Sequence, residues 1–164
     1  MIGIKPVEED SYQKIIEWNE GKGEDYLYQW AGHKVYYYPI SVEQVKMRVN
    51  EKELRIYAIY NDKEIIGSIE LNKIDYDKYS AHISRFILSD KSQNKGLGKL
   101  ILTEIIKIAF NEMNLSKLTL SVFCFNVGAI RCYEKAGFLV KEYHQSKDAK
   151  WNSYIMELQK NKNI

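Results

Sequence analysis

The chain has little cysteine and proline, two of each in 164 residues, and no long apolar run. Cys124 and Cys132 stand eight residues apart, a spacing that matches no zinc pattern, and His33, His82 and His144 do not cluster near them. No metal site and no structural disulfide are expected, and both cysteines read as small apolar core residues of a reducing compartment. The longest apolar stretches are interrupted by Lys, Glu or Asn well short of the ~20 residues of a membrane span. The first residues, Met1 to Pro6, lack the charged-then-apolar layout of a secretory signal. These absences point to a cytoplasmic protein that meets no membrane. Arginine is scarce too, with 4 against 20 lysines, and the net charge of +2 is spread without a basic block, which argues against a nucleic-acid partner. The lysine excess, with many Ile and Asn, suggests an AT-rich bacterial genome.

What is present is the material of one compact domain. A chain of this length buries roughly 70% of the surface it exposes when unfolded. Hydrophobic residues at 45% and charged residues at 28% are ordinary for a globular protein. A short strand is expected over Ile2 to Pro6, then a helix over Glu8 to Asn19 with Tyr12, Ile15, Ile16 and Trp18 at helical spacing, closed by Gly21 and Gly23. The stretch from Asp25 to Pro39 reads as irregular and aromatic. Ser41 with Gln44 has the form of a capping box and opens a helix to about Asn50. The period then changes to two: strands over Leu54 to Tyr60, Glu64 to Leu71 and Ser80 to Leu88. An apolar helix of about four turns follows Gly96-Leu97-Gly98. Lys117 to Phe123 is β-rich, Val127 to Lys135 is helical up to Gly137, and strands over Phe138 to Tyr143 and Trp151 to Leu158 close the chain. This order makes an α/β domain on a mixed sheet.

The segment Phe86-Ile87-Leu88-Ser89-Asp90-Lys91-Ser92-Gln93-Asn94-Lys95-Gly96-Leu97-Gly98-Lys99 is a strand, a loop and a helix opening on two glycines. Bare backbone lets an anion approach, the first helical N–H groups lack intrahelical partners, and Lys95 and Lys99 flank the turn. A phosphate-bearing ligand at Gln93 to Lys99 is the physical expectation. Glycines that merely serve the turn are the alternative. The Gly-x-x-x-x-Gly-Lys-Ser/Thr loop is absent, and Ile101 stands where a dinucleotide fingerprint needs its third glycine.

About thirty residues on comes Asn126-Val127-Gly128-Ala129-Ile130-Arg131-Cys132-Tyr133-Glu134-Lys135-Ala136-Gly137-Phe138. Together the two segments resemble the acetyl-CoA signature of the GNAT superfamily of N-acetyltransferases. Gln93, Gly96 and Gly98 match its first half; Asn126, Ala129, Tyr133, Lys135, Gly137 and Phe138 match its second. The match is dense from about Ile65 to Phe138, and the first forty residues match only in element order. The resemblance implies a single GNAT-like domain over 1–164, with a mostly antiparallel mixed sheet, flanking helices and a splayed central strand pair. Residues 1–50 would form the variable acceptor side, 54–138 the acetyl-CoA core and 138–158 the last strands.

The implied reaction is direct acetyl transfer from acetyl-CoA, a co-substrate, to a primary amine of a small molecule or a protein N-terminus, with no metal. The implied cofactor contacts are the backbones of Phe86, Ile87 and Leu88 for the pantetheine arm, and of Gln93, Asn94, Lys95, Gly96, Leu97, Gly98 and Lys99 for the pyrophosphate. Asn126 and Ala129 would follow at the next helix, where Asn126 also reads as a helix cap. Tyr133, two turns beyond Asn126, is the expected acid that protonates the leaving thiolate, with a core tyrosine as the alternative. Glu70 and His82 are the candidate bases, each also readable as an ordinary strand residue. Trp30, Tyr36 and Tyr38, with Glu24 and Asp25, are candidates for an acceptor pocket or for a lid or dimer surface, and the hairpin bearing His144 and Trp151 for its opposite wall. Dimerisation is common in this fold. Another acyl-CoA donor, or a non-catalytic CoA-binding or interaction module, stays open at this point.

Overall fold

The computed structural model describes residues 1–161. In chain order its elements are β1 (Ile2–Pro6), α1 (Glu9–Glu17), α2 (Glu24–Ala31), α3 (Val42–Val49), β2 (Arg55–Asn61), β3 (Glu64–Asp75), β4 (Ser80–Leu88), α4 (Leu97–Lys107), β5 (Lys117–Phe123), α5 (Val127–Lys135), β6 (Leu139–His144) and β7 (Ser153–Gln159). The strands follow the order β1-β2-β3-β4-β5-β7-β6. β1 with β2, β2 with β3, β5 with β7 and β6 with β7 are antiparallel, whereas β4 and β5 are parallel. The expected mixed, mostly antiparallel α/β fold is therefore present. The β4–β5 register runs only from Ser80↔Lys117 to Ile83↔Leu120, though both strands continue beyond it.

The described residues divide into two compact units, 1–72 with 84–95, and 73–83 with 96–161. In the first, Tyr12, Ile15 and Trp18 of α1 and its C-cap pack with Leu27, Ala31, Tyr36, Ile40, Val45 and Ile87. The helical spacing of the first three places them on one face, as the sequence requires. In the second, Ile101, Leu102 and Ile105 of α4, Leu118 and Leu120 of β5, Phe138 and Met156 are all essentially inaccessible.

Helix α2 replaces the irregular stretch expected from the sequence. Its aromatic content, Tyr26, Tyr28 and Trp30, obscures an i, i+4 pair, Leu27 and Ala31, that is buried to 1–2% exposure. Gly23 (φ 82°) and Gly32 (φ 75°) delimit it. Ser41 does cap α3 by accepting from Gln44 N–H, but the Gln44 side chain binds the backbone of Tyr37 and Pro39 instead of closing the expected box.

Candidate active site

The turn into α4 carries two left-handed residues, Asn94 (φ 57°) and Gly96 (φ 72°). Gly96 is the N-cap, and no side chain caps the helix. Among the described α-helices, α4 alone begins with neither a side-chain cap nor an acidic residue in its first turn. Its leading N–H groups and dipole are thus left for an external acceptor. Asn94, Lys95, Gly96 and Lys99 lie at the surface, exposed or half-buried. Two left-handed residues and a bare N-terminus are the materials of an anion cradle.

The two glycines divide their labour. Gly96 supplies the positive φ. Gly98 makes room for a neighbouring helix: a Cβ there would stand 2.8 Å from Cys132 Sγ of α5. The missing Cβ at Gly98 thus serves α4–α5 packing, whatever its N–H binds. Gln93 donates its side-chain amide to Leu88 O at 3.0 Å and ties the loop back to the end of β4. In β4, Phe86 and Leu88 are half-buried and Ile87 is buried.

Asn126 caps α5, accepting from Ala129 N–H at 3.3 Å through Oδ1. One residue beyond Cys132, Tyr133 is half-buried with its ring edge-on to Phe138, centroids 6.1 Å apart. Desolvation, with a smaller contribution from Cys132, pushes its phenol well above the usual tyrosine range, so it stays protonated at neutral pH. Burial likewise raises the Cys132 thiol.

The two candidate bases differ in setting. His82 is half-buried on β4, opposite Thr119 of β5, and its Nδ1 lies 2.8 Å from Thr119 Oγ1. Glu70 is 1% exposed on β3 and ion-paired to both Arg48 (3.1 Å) and Arg85 (3.2 Å), two partners that nothing in the sequence announces. Of the acceptor-pocket candidates, Tyr36 is a core residue at 2% exposure, and burial first and Glu70 second drive its phenol far up. Trp30 donates Nε1–H to Asn19, Glu24 accepts from Tyr28, and Tyr38 is exposed. Trp151 joins Phe123 and Phe125 in an aromatic group, while His144 pairs with Glu142 on exposed β6. No cluster of three or more metal-ligating side chains occurs among the described residues, and no helix there is long and apolar enough to cross a membrane.

The GNAT acetyltransferase family model matches residues 11–138, and the chain belongs to that family. It is 34% identical over 82 residues to a spermidine N(1)-acetyltransferase of Vibrio cholerae, covering 50% of this chain and 46% of that protein. It is 30% identical over 94 residues to the acetyltransferase PseH of Campylobacter jejuni, covering 57% and 55%. The matches thus span about half the length of these curated relatives. The fold matches that of the V. cholerae spermidine N-acetyltransferase in complex with CoA and spermine, with a TM-score of 0.82 at 19% identity over 96% of this chain and 95% of that one.

Proposed function

We propose that the protein is an N-acetyltransferase that moves an acetyl group from acetyl-CoA to a primary amine by direct transfer in a ternary complex. The observation that carries this reading is the uncapped, acid-free start of α4 behind a left-handed glycine, in the segment that resembles the family's acetyl-CoA signature. The N–H groups of the turn from Gln93 to Lys99 would hold the pyrophosphate, with Lys95 and Lys99 adding charge. The backbone of Phe86–Leu88 would pair with the pantetheine arm. Asn126 spends Oδ1 on its cap, so its NH2 group is the half that would donate to a pantetheine carbonyl, beside Ala129.

The neutral amine attacks the thioester carbonyl, and collapse of the tetrahedral intermediate expels the thiolate of CoA. Tyr133, a neutral phenol at physiological pH as an ordinary tyrosine is, would give the thiolate its proton. The amine's proton leaves to His82, whose ring is oriented by Thr119, or to water that His82 orients. Glu70 is the weaker base because its carboxylate is committed to two guanidiniums. A small polyamine-like or amino-sugar amine fits the named activities of relatives, which include spermidine and aminoglycoside acetyltransferases. Two free cysteines suit a reducing cytoplasm, and relatives from V. cholerae and C. jejuni suit a bacterial source.

The test is release of free CoA from acetyl-CoA against a panel of polyamines, aminoglycosides, amino acids and peptides. Turnover with a primary amine is expected. Tight CoA binding with no turnover across donors would leave a non-catalytic module.

A further inference from the structure

A buried charge cluster in the first unit centres on Glu70. Glu70 Oε2 accepts from Arg48 Nη2 at 3.1 Å and from Arg85 Nη1 at 3.2 Å, with the three side chains 2%, 10% and 15% exposed. Arg85 Nη1 also donates to Ser84 Oγ at 3.0 Å, and Ser84 Oγ accepts from Asn72 Nδ2 at 2.6 Å. Nε of both arginines and Oδ1 of Asn72 are buried without a partner. Orphaned polar atoms cost stability, and a buried ion pair is seldom better than apolar packing, so stability alone is a poor reason for this cluster.

The backbone it grips is unusual. Arg85 has φ 49°, a left-handed conformation for a non-glycine residue inside a strand. Glu70 and Asn72 are two apart on β3 and share a face, and Arg48 of α3 meets that face. Ser84, bonded to Asn72, therefore lies on the α3 side. Ile87 packs in the cluster that contains Val45 of α3 and Tyr36, so it lies on the α3 side as well. Regular alternation puts residues three apart on opposite faces. Arg85 is the extra residue of a β-bulge, and the faces of β4 are exchanged from there on. The β4–β5 register stops at Ile83↔Leu120, two residues before the bulge.

We infer that Glu70 is a positioning residue: shared between Arg48 and Arg85, its carboxylate holds the Arg85 bulge and so sets the backbone of Phe86–Leu88 on which acetyl-CoA is aligned. The last step rests on the acetyltransferase reading; the grip on the bulge does not. Holding the reacting carbonyl in place is worth rate even where no proton is moved.

The test compares wild type with Glu70→Gln and with Arg85→Lys, which keeps the charge but loses the fork that spans Glu70 and Ser84. In Glu70→Gln, amide exchange at Phe86–Leu88 is expected to speed up by roughly tenfold or more while the second unit keeps its protection. CoA affinity by calorimetry should fall on the order of tenfold, KM for acetyl-CoA should rise more than kcat falls, and the acid limb of the pH–rate profile should stay. Unchanged exchange at Phe86–Leu88 in the folded variant overturns the inference. So does a collapse of kcat with KM intact and the acid limb gone, which would make Glu70 the base. If Glu70→Gln does not fold, Arg85→Lys is measured in the same ways: faster exchange at Phe86–Leu88 supports the inference, and unchanged exchange overturns it. A wild-type chain that binds no CoA refutes the acetyltransferase reading, and the exchange data then decide the clamp by themselves.

Discussion

Replacing Gly98 by alanine separates two uses of one glycine. Gly98 sits in α4 outside the left-handed region, so the backbone accepts alanine, and helix propensity alone would stabilise by about 0.5–1 kcal/mol. The new Cβ, however, would lie 2.8 Å from Cys132 Sγ. That is about 0.7 Å or more inside the ~3.5–4.0 Å optimum for such contacts, and overpacking of this kind costs about 1–3 kcal/mol. A net loss of up to about 2.5 kcal/mol is expected for Gly98→Ala. In a Cys132→Ala background the obstacle is gone, and the same substitution should become neutral or stabilising. Urea denaturation of the four proteins closes the cycle, with a coupling of about 1–3 kcal/mol expected at unchanged m-value. A coupling near zero, or a stabilised single variant, would refute the packing argument. CoA titration of the same set adds a second reading. Affinity lost in Gly98→Ala and recovered in the double variant means that the glycine serves the helix pair; loss that persists means that the Cβ itself obstructs the ligand.

Three further expectations follow from individual side chains. Tyr133→Phe should lower turnover by about 10²–10⁴-fold, the usual worth of a general acid, while CoA affinity stays near that of wild type; full activity would return Tyr133 to the packing of α5. Asn126→Ser keeps a capping oxygen but loses the amide donor, so the melting temperature should change little while CoA affinity falls; affinity kept in Asn126→Ser and lost in Asn126→Ala would mean that only the cap matters. Above pH ~10 an unfolded tyrosine ionises while buried Tyr36 keeps its proton, so the folded state holds more protons and stability falls as pH rises. Its share is up to about 1.4 kcal/mol per pH unit, and Tyr36→Phe should lose less stability than wild type over that range; identical slopes would contradict the assignment.

Much of this molecule is local in origin and is legible in the sequence for that reason. The bounds of β4, β5 and α5 follow from period, cap and closing glycine, and the structure ends these elements where Ser80, Leu88, Asn126 and Gly137 imply. The α4 turn is legible because glycine and the absence of a capping side chain are readable in one short segment. Helix α2 is not, since β-favouring aromatics outweigh one buried i, i+4 pair until tertiary packing decides the matter. The Glu70 cluster is illegible for a different cause. Arg48 and Arg85 stand 22 and 15 residues from Glu70, and nothing near Glu70 names its partners. Ser68, Glu70 and Asn72 do form a polar stripe in the middle of β3, and all three are buried. That stripe is the one available signal that β3 must find charged partners inside the fold. Gly98 suggests only an opening for a ligand when read in its own segment, because the approach of Cys132 is a tertiary fact.

The central claim is that the bare start of α4 holds CoA, and backbone amide NMR during a CoA titration tests it directly. The largest saturable shifts are expected at Lys95–Lys99 and Phe86–Leu88, with a smaller response at Asn126 and Ala129. Saturable CoA binding that leaves the Leu97, Gly98 and Lys99 amides unmoved, or no binding at all, would contradict it.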